Sequence, residues 1–261
     1  MNDIIKYPRT QHIRGSRFQH GDDDMEAVSF SDLIGKHLVI EEKMDGANSG
    51  ISFSDDGELL VQSRGHFLRG GQREKQFDLL KFWTARHTDM LFDMLSNRYI
   101  MYGEWLYAKH TAYYDALPHY FMEFDIYDKE AQEFLSEPRR REMIGNRPIV
   151  QVKVLHQGVV NTVRNLSNMI VGSWFMTDRR LVSLEEAAAK AEADVSQVIK
   201  ETDGSTLMEG LYIKAEEAGR VTGRYKFVRE SFTSAIMDSE THWHDRPIIA
   251  NKLAEDSRFF E

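Results

Sequence analysis

Short runs of β-branched, aromatic and leucine side chains, separated by turn-forming residues, dominate the pattern of the chain after residue 36. This composition is typical of strands, and several runs alternate between apolar and polar positions as half-buried strands do. The predicted strands are 37–42, 50–54, 58–63, 98–107, 120–128, 210–217 and 220–229. The last two bracket Ala218 and Gly219, which predicts a hairpin.

Three other stretches favour helices. Over residues 73–95, apolar side chains recur every three or four positions, which predicts one amphipathic helix whose aromatic stripe packs into the core. Pro138, followed by three arginines, is typical of a helix start. Ser183 and Glu186 have the spacing of a capping box, which predicts a surface helix running through the alanine-rich residues 185–200.

This order of elements predicts an α+β fold, with twisted, mainly antiparallel sheets flanked by helices. Residues 1–36 lack a clear period, so we expect an irregular N-terminal arm that packs on the core. Residues 37–261 show no repeat, low-complexity linker or second boundary, and we expect them to form one domain.

Composition excludes several classes of protein and site. The 261 residues contain no cysteine, so a disulfide framework and a thiolate metal site are excluded. With no apolar run of about 20 residues and no signal sequence, we expect a soluble, cytoplasmic protein without membrane contact. The net charge of -9 argues against an extended basic face that coats nucleic acid, but leaves room for a local basic groove.

Lys43 is the first candidate for chemistry, because it follows an apolar predicted strand and precedes the turn formers Asp45, Gly46 and Asn48. This position is typical of the rim of a pocket. A nucleophilic lysine must lose its proton, and neighbouring cations and a divalent metal lower its pKa. An isolated Lys-x-Asp-Gly is more often a solvated turn, so other motifs must support the catalytic interpretation.

Five further motifs follow in order, each on a predicted strand or strand end. They are SRG at 63–65, GEWLY at 103–107, MEFDIYD at 122–128, EGLYIK at 209–214 and RYKFVR at 224–229. Together with the lysine motif, the set resembles the covalent nucleotidyltransferase superfamily of ATP-dependent ligases and capping enzymes. It most closely resembles the RNA ligases of the family named for the second bacteriophage T4 RNA ligase. The resemblance covers residues 39–229, and the arm sequence KYPRTQHIRGSR is also similar to that of bacterial stand-alone RNA ligases.

The resemblance implies an ATP-grasp-like nucleotidyltransferase fold and a role for each matching residue. Lys43 becomes linked to AMP, Glu209 lies near the metal ion, and Lys226 is catalytic. The residues that the resemblance assigns to the nucleotide or the RNA end are Glu42, Asp45, Asn48, Arg64, Glu104, Phe124, Lys214 and Arg224.

Some of these roles have alternatives. Arg64 is similar to an arginine that engages the ribose and later the terminal phosphate, but a cross-strand surface ion pair is the other interpretation. For stacking on adenine, Phe124 competes with Phe121 and Tyr127. The family often has lysine where this chain has Arg224, and an arginine holds phosphate bidentately but cannot donate a proton.

The implied activity is that of an ATP-dependent RNA ligase. It would join 5'-phosphate and 3'-hydroxyl ends through a lysyl-AMP enzyme and an AMP-capped RNA, with Mg²⁺ or Mn²⁺. Only residues 230–261 follow the last motif, which is too few for the OB domain of DNA ligases and capping enzymes. A kinase or phosphatase partner that heals the ends is a further expectation. The alternatives are a DNA nick ligase, an adenylyltransferase of another acceptor, and a non-catalytic nucleotide-binding or RNA-end-binding protein.

Several charged residues outside these motifs remain open. Candidate contacts to RNA phosphates are Arg9, His12, Arg14, Arg17, the Arg139–Arg141 run and Arg179–Arg180. Solvated charges, a helix start or a loop explain each of them as well. The spacing of His242, His244 and Asp245 resembles that of metal ligands, but without a further convergent ligand we expect a structural or surface role.

Overall fold

The computed structural model describes residues 3–18, 26–232 and 247–260 and confirms the α+β class. The strands are β1 Gln11–His12, β2 Leu38–Lys43, β3 Ala47–Phe53, β4 Leu59–Ser63, β5 Tyr99–Trp105, β6 Phe121–Asp128, β7 Glu133–Phe134, β8 Val150–Gln151, β9 Val154–Gly158, β10 Gly210–Glu217 and β11 Arg220–Val228. The α-helices are α1 Asp78–Arg86, α2 Thr88–Leu95, α3 Glu137–Ile144, α4 Val163–Ser167, α5 Arg180–Lys190 and α6 Val195–Lys200, and 3-10 helices span Phe30–Leu33, Gln72–Phe77 and Glu230–Phe232.

Two sheets form the centre of the molecule. The first has the strand order β1-β11-β10-β2-β9, and the second has the order β4-β3-β5-β6-β7, with β8 beside β6. The β1–β11 and β6–β8 pairs are parallel and the other strand pairs are antiparallel, as expected. Because β2 belongs to the first sheet and β3 to the second, the three residues 44–46 carry the chain between them.

Apolar side chains pack on both sheets. The largest cluster covers the second sheet, where α1 and α2 bury Leu80, Trp83, Leu91 and Leu95, so the predicted core stripe is confirmed. A second cluster lies on one face of the first sheet, and its buried strand members are Leu38, Ile40, Leu211, Ile213, Ala215, Tyr225 and Phe227. The alternation along β2 therefore directs Glu41 toward the opposite face, between the sheets.

The space between the sheets contains a buried network of charges. Arg140 of α3 donates to Glu41 of β2 at 2.7 Å and to Glu123 of β6 at 2.9 Å. Lys214 of β10 lies 2.8 Å from the second Glu41 oxygen and 3.6 Å from Asp125 of β6. All five side chains are at most 1% exposed, so the pairs join the two sheets inside a low-dielectric region.

The predicted helix over 73–95 is a 3-10 helix followed by α1 and α2, with a break at His87. At this break the Thr84 and Thr88 hydroxyls donate to backbone carbonyls one turn back, and the His87 ring lies 2.8 Å from the carbonyl of Trp83. Side-chain groups that compete for helix carbonyls weaken the regular ladder.

The predicted capping box is wrong. Ser183 lies inside α5, which begins at Arg180, and the cap position is Arg179 without a side-chain hydrogen bond. The alanine-rich helix also ends early, because Glu192 adopts a positive φ of 54°. A second helix, α6, then begins behind Asp194, whose carboxylate accepts from the Gln197 backbone N–H at 3.1 Å.

We predict that Arg140→Ala lowers the free energy of unfolding by about 3–5 kcal/mol, because it leaves two buried carboxylates without their partner. Arg147→Ala is the control, since its partner Asp93 is 75% exposed, and we expect a loss below about 1 kcal/mol. Urea unfolding of both variants measures the difference. Equal losses would show that the buried network does not stabilise the fold.

Candidate active site

A cavity of about 1490 Å³ opens between the sheets at the link from β2 to β3. Most of the residues that the sequence predicts for the site line this cavity. They are Glu42, Lys43, Asp45, Asn48, Arg64, Glu104, Phe124 and Lys226. Residues that are separated by up to 184 positions in the chain are thus brought to one surface.

Lys43 is the last residue of β2, and its Nζ lies 2.7 Å from Glu209 Oε1. Gly210 pairs directly opposite Lys43, so the β2–β10 ladder places Glu209 beside the ammonium group. Burial lowers the pKa of Lys43, but the charges of Glu209, Glu104 and Asp45 outweigh it and raise the pKa. The sequence suggested neighbouring cations, whereas the structure surrounds this amine with carboxylates.

Asp45 shapes the loop beside the lysine. Its Oδ2 accepts the backbone N–H groups of Thr111 and Ala112, both at 2.7 Å. Its own backbone N–H donates to the Tyr114 hydroxyl at 2.9 Å. The aspartate of the Lys-x-Asp-Gly motif therefore holds the link between the sheets against the loop that follows β5.

Gly46 completes the link, because a larger residue does not fit there. A Cβ at this position would lie 2.6 Å from the carbonyl oxygen of Trp105. The Gly46 N–H donates to Glu104 at 3.2 Å, and Asn48 pairs with Glu104 across β3 and β5. Glu104 and Asn48 are in this way fixed next to the end of β2.

Two carboxyl groups of the cavity have raised pKa values. Burial raises the pKa of Glu104 to about 8, with Lys43 opposing the change and Glu209 adding to it. Burial also raises the pKa of Glu42 to about 7, an effect that nearby Ser173 and Lys153 partly offset. Groups with such shifts in a cavity are typical of functional sites.

Of the three aromatic candidates in β6, Phe124 alone lines the cavity. Phe121 is fully buried and stacks at 6.1 Å on Trp83 in the core. Tyr127 packs at 4.8 Å against Phe134. The geometry thus singles out Phe124 as the ring available to a ligand.

Arg64 lies exposed just beyond the end of β4 and faces the cavity. Within the described ranges no carboxylate pairs with it, so the alternative of a cross-strand ion pair is not seen. Its guanidinium group is available to an anion that enters the cavity.

Three predicted site residues, Glu209, Lys214 and Arg224, do not line the cavity, although Glu209 contacts Lys43, which does. Lys214 is fully buried between Glu41 and the carbonyl oxygen of Phe124. Arg224 Nε lies 3.0 Å from Asp125, and its guanidinium group packs 3.6 Å from the centre of the Phe134 ring. Both cations therefore pair with groups of β6 and do not line the cavity. Lys226 is the β11 residue that lines it.

Tyr7 of the N-terminal arm is a cavity residue that the sequence did not single out. It lies between the sheets, where its hydroxyl donates to Asp125 at 2.5 Å and is 2.5 Å from the Tyr212 hydroxyl. Its ring meets Phe124 edge-on at 5.1 Å. The signal in the sequence is that Tyr7 belongs to the arm segment KYPRTQHIRGSR, which is similar to that of bacterial stand-alone RNA ligases.

The basic candidates outside the cavity divide by burial. His12, Arg140 and Arg180 are at most 2% exposed, so direct contact of these side chains with RNA is excluded. His12 bonds instead to Ser16 at 2.8 Å. Arg9, Arg14, Arg17, Arg141 and Arg179 are exposed, and Arg139 is half-buried. The predicted surface or structural role of His242, His244 and Asp245 lies outside the described residues.

The donor set suits a hard divalent cation. No group of three or more histidine and carboxylate residues within the described ranges is arranged to hold a metal by itself. Mg²⁺, however, binds through one or two carboxylates together with substrate phosphates. Glu104 and Asp45 line the cavity, and Glu209 lies just behind the lining, 2.7 Å from Lys43, so carboxyl oxygens of the kind that Mg²⁺ binds surround this lysine.

In the same ranges, no helix has the length and apolar character needed to cross a bilayer.

Comparisons with known proteins identify a family and a fold for the chain. The family model described as RNA ligase matches residues 36–228. A Naegleria gruberi RNA ligase mutant with AMP and Mn has 14% sequence identity and a TM-score of 0.55, and the match covers 88% of this chain and 57% of that one. Another mutant of that ligase, with ATP and Mn, has 15% identity and a TM-score of 0.54, with 92% and 64% covered.

This chain thus spans less than two thirds of that ligase, and the likeness confirms the expected ligase-type fold. No curated protein matches the chain.

We predict that Glu42→Gln stabilises the protein more at pH 8 than at pH 5. A carboxyl whose pKa rises from 4.5 unfolded to about 7 folded favours the protonated native state, so wild-type stability falls as the pH passes through this window. Glutamine does not titrate, so the variant does not lose this stability, which amounts to about 2–3 kcal/mol between pH 5 and pH 8.

Urea unfolding at both pH values measures the effect, and Glu58→Gln, an exposed position, is the control. A pH-independent difference between Glu42→Gln and wild type would contradict the prediction.

Proposed function

Since the chain belongs to the RNA ligase family, we propose that it is an ATP-dependent RNA ligase that joins 5'-phosphate and 3'-hydroxyl ends. The observation that carries the proposal is the position of Lys43. It lies at the meeting point of the two sheets, in a cavity that also contains Glu104, Phe124 and Lys226. The presence of these residue types in one cavity supports the proposal of lysyl-AMP chemistry.

In the first step, the unprotonated amine of Lys43 attacks the α-phosphorus of ATP, a nitrogen–phosphorus bond forms, and pyrophosphate leaves. Mg²⁺ or Mn²⁺ at Glu209 would supply positive charge to the phosphates. Because carboxylates hold the pKa of Lys43 up, neutralising them favours release of its proton.

The remaining cavity residues bind and orient the nucleotide. Phe124 offers a ring for the adenine, and Glu104 offers a carboxylate for a ribose hydroxyl. Lys226 and Arg64 bring positive charge to the phosphate oxygens from the two different sheets. Fixed charges of this kind accelerate an in-line displacement by alignment and electrostatic stabilisation.

Two further transfers complete the reaction. An oxygen of the RNA 5'-phosphate attacks the AMP phosphorus, the bond to Lys43 breaks, and the lysine regains a proton. A 3'-hydroxyl then attacks the 5'-phosphorus, AMP leaves, and a phosphodiester bond forms. Such an enzyme would serve RNA repair, with a kinase or phosphatase preparing the ends.

Experiments can distinguish an RNA ligase from two alternative functions. A non-catalytic nucleotide-binding protein would not need Lys43 beside Glu209, with Glu104 and Lys226 in the same cavity. An acceptor other than RNA, such as a DNA nick, would use the same first step.

We predict that the full chain gains one adenylyl group when incubated with ATP and Mg²⁺ or Mn²⁺, as measured by intact mass. Lys43→Ala abolishes the gain because the nucleophile is lost. Lys190→Ala, which removes a lysine of α5 outside the cavity lining, leaves it unchanged. The absence of any gain with ATP, GTP or NAD would support the binding-protein alternative.

We further predict that the adenylylated protein seals nicked duplexes with RNA ends faster than all-DNA nicks. Gel analysis of RNA, DNA and mixed strands measures the rates. A preference for DNA would contradict the RNA assignment while leaving the lysyl-AMP step intact.

A further inference from the structure

An exposed tryptophan lies next to the cavity but outside its lining. Trp174 is 51% exposed, and the ammonium group of Lys153 lies 3.5 Å from the centre of its ring. Val171 and Leu207 are 44% and 39% exposed, and the Gly172–Leu207 bridge brings their two segments together. We call the surface formed by the Trp174 ring and the Lys153 ammonium group the Trp174 platform.

Backbone hydrogen bonds and burial of the residues on both sides of Trp174 fix the position of the platform. On either side of Trp174, Ser173 and Phe175 are buried at 6% and 8% exposure. The Ser173 N–H donates to the Thr206 carbonyl at 2.8 Å, and the Phe175 carbonyl accepts from Asp115 at 3.2 Å. A well-anchored segment therefore presents one large aromatic side chain to solvent.

The platform is also fixed relative to the nucleophile. The backbone N–H of Glu42, the residue before Lys43, donates to the carbonyl oxygen of Lys153 at 3.2 Å. Ser173 and Lys153 both act on the pKa of the Glu42 carboxyl, which lines the cavity. Lys153 and Ser173, the residue before Trp174, thus both interact with Glu42, which precedes Lys43, the proposed site of adenylylation.

Lys153 lies over one face of the Trp174 ring, so a ligand would stack on the opposite face of this half-exposed ring, and a ring with such a cation suits one kind of ligand. Single-stranded nucleic acids bind where bases stack on aromatic rings and cations meet the backbone. In a chain of net charge -9, positive groups near the cavity matter most for an anionic polymer. We propose that the Trp174 platform stacks an unpaired base of the RNA substrate close to its reacting end. This inference rests on the proposed function and assigns it a contact outside the cavity lining.

Binding of a 5'-phosphorylated single-stranded RNA to the full chain tests the inference. We expect Trp174→Ala to weaken binding roughly fivefold to 150-fold, which corresponds to the loss of one stacked base. Trp174→Phe keeps a ring and retains most of the affinity, whereas Trp174→Leu keeps apolar area alone and does not. Phe82→Ala, which removes another exposed aromatic residue, is the control and leaves binding unchanged.

Abasic nucleotides separate stacking from a structural role. At one position near the RNA end, removing the base weakens binding to the wild type but leaves binding to Trp174→Ala unaffected. The mass gain with ATP stays at the wild-type level in all Trp174 variants. An affinity of Trp174→Ala equal to that of wild type, or a Leu variant equal to the Phe variant, overturns the inference but not the ligase activity. A wild-type protein that binds no RNA overturns both.

Discussion

The ion pairs buried between the two sheets are the constraint on which the site depends. Glu41 of the first sheet and Glu123 of the second share the guanidinium group of Arg140. Because an unpaired buried charge is very costly, the sheets must keep the separation and register at which both pairs form. Lys43 comes two residues after Glu41 on the same strand, so this register also sets the position of the proposed nucleophile.

The same constraint explains why the positive side chains of β10 and β11 have different roles. Lys214 of β10 and Arg224 of β11 are directly opposite each other and pair with the inter-sheet carboxylates. Lys226, two residues further along β11, reaches the cavity. Because strand side chains alternate, Arg224 and Lys226 lie on the same face of β11, and their different positions along the strand give them different partners.

The charges around the cavity determine which ligands it favours. The carboxylates around Lys43 raise its pKa, while burial raises the pKa of Glu104 to about 8. Such a site favours cations and gains little from an isolated anion. In the proposed reaction, a nucleotide that arrives with a divalent cation would relieve the crowding of negative charge and bring its phosphates to Lys226 and Arg64. Under that proposal, charge balance links metal binding to nucleotide binding.

The sequence alone determined the class of fold and most strands, because side-chain period and turn formers are local properties. The cavity residues from Glu42 to Lys226 were predicted by the resemblance of the ordered motifs to a known family, and not by these local properties. Tertiary packing decided the rest. His12 and Arg140 are buried, Lys214 pairs with Glu41 outside the cavity lining, and Tyr7 packs beside Phe124. Such outcomes depend on which distant groups satisfy a buried charge or hydroxyl, and that choice is made only when the two sheets come together.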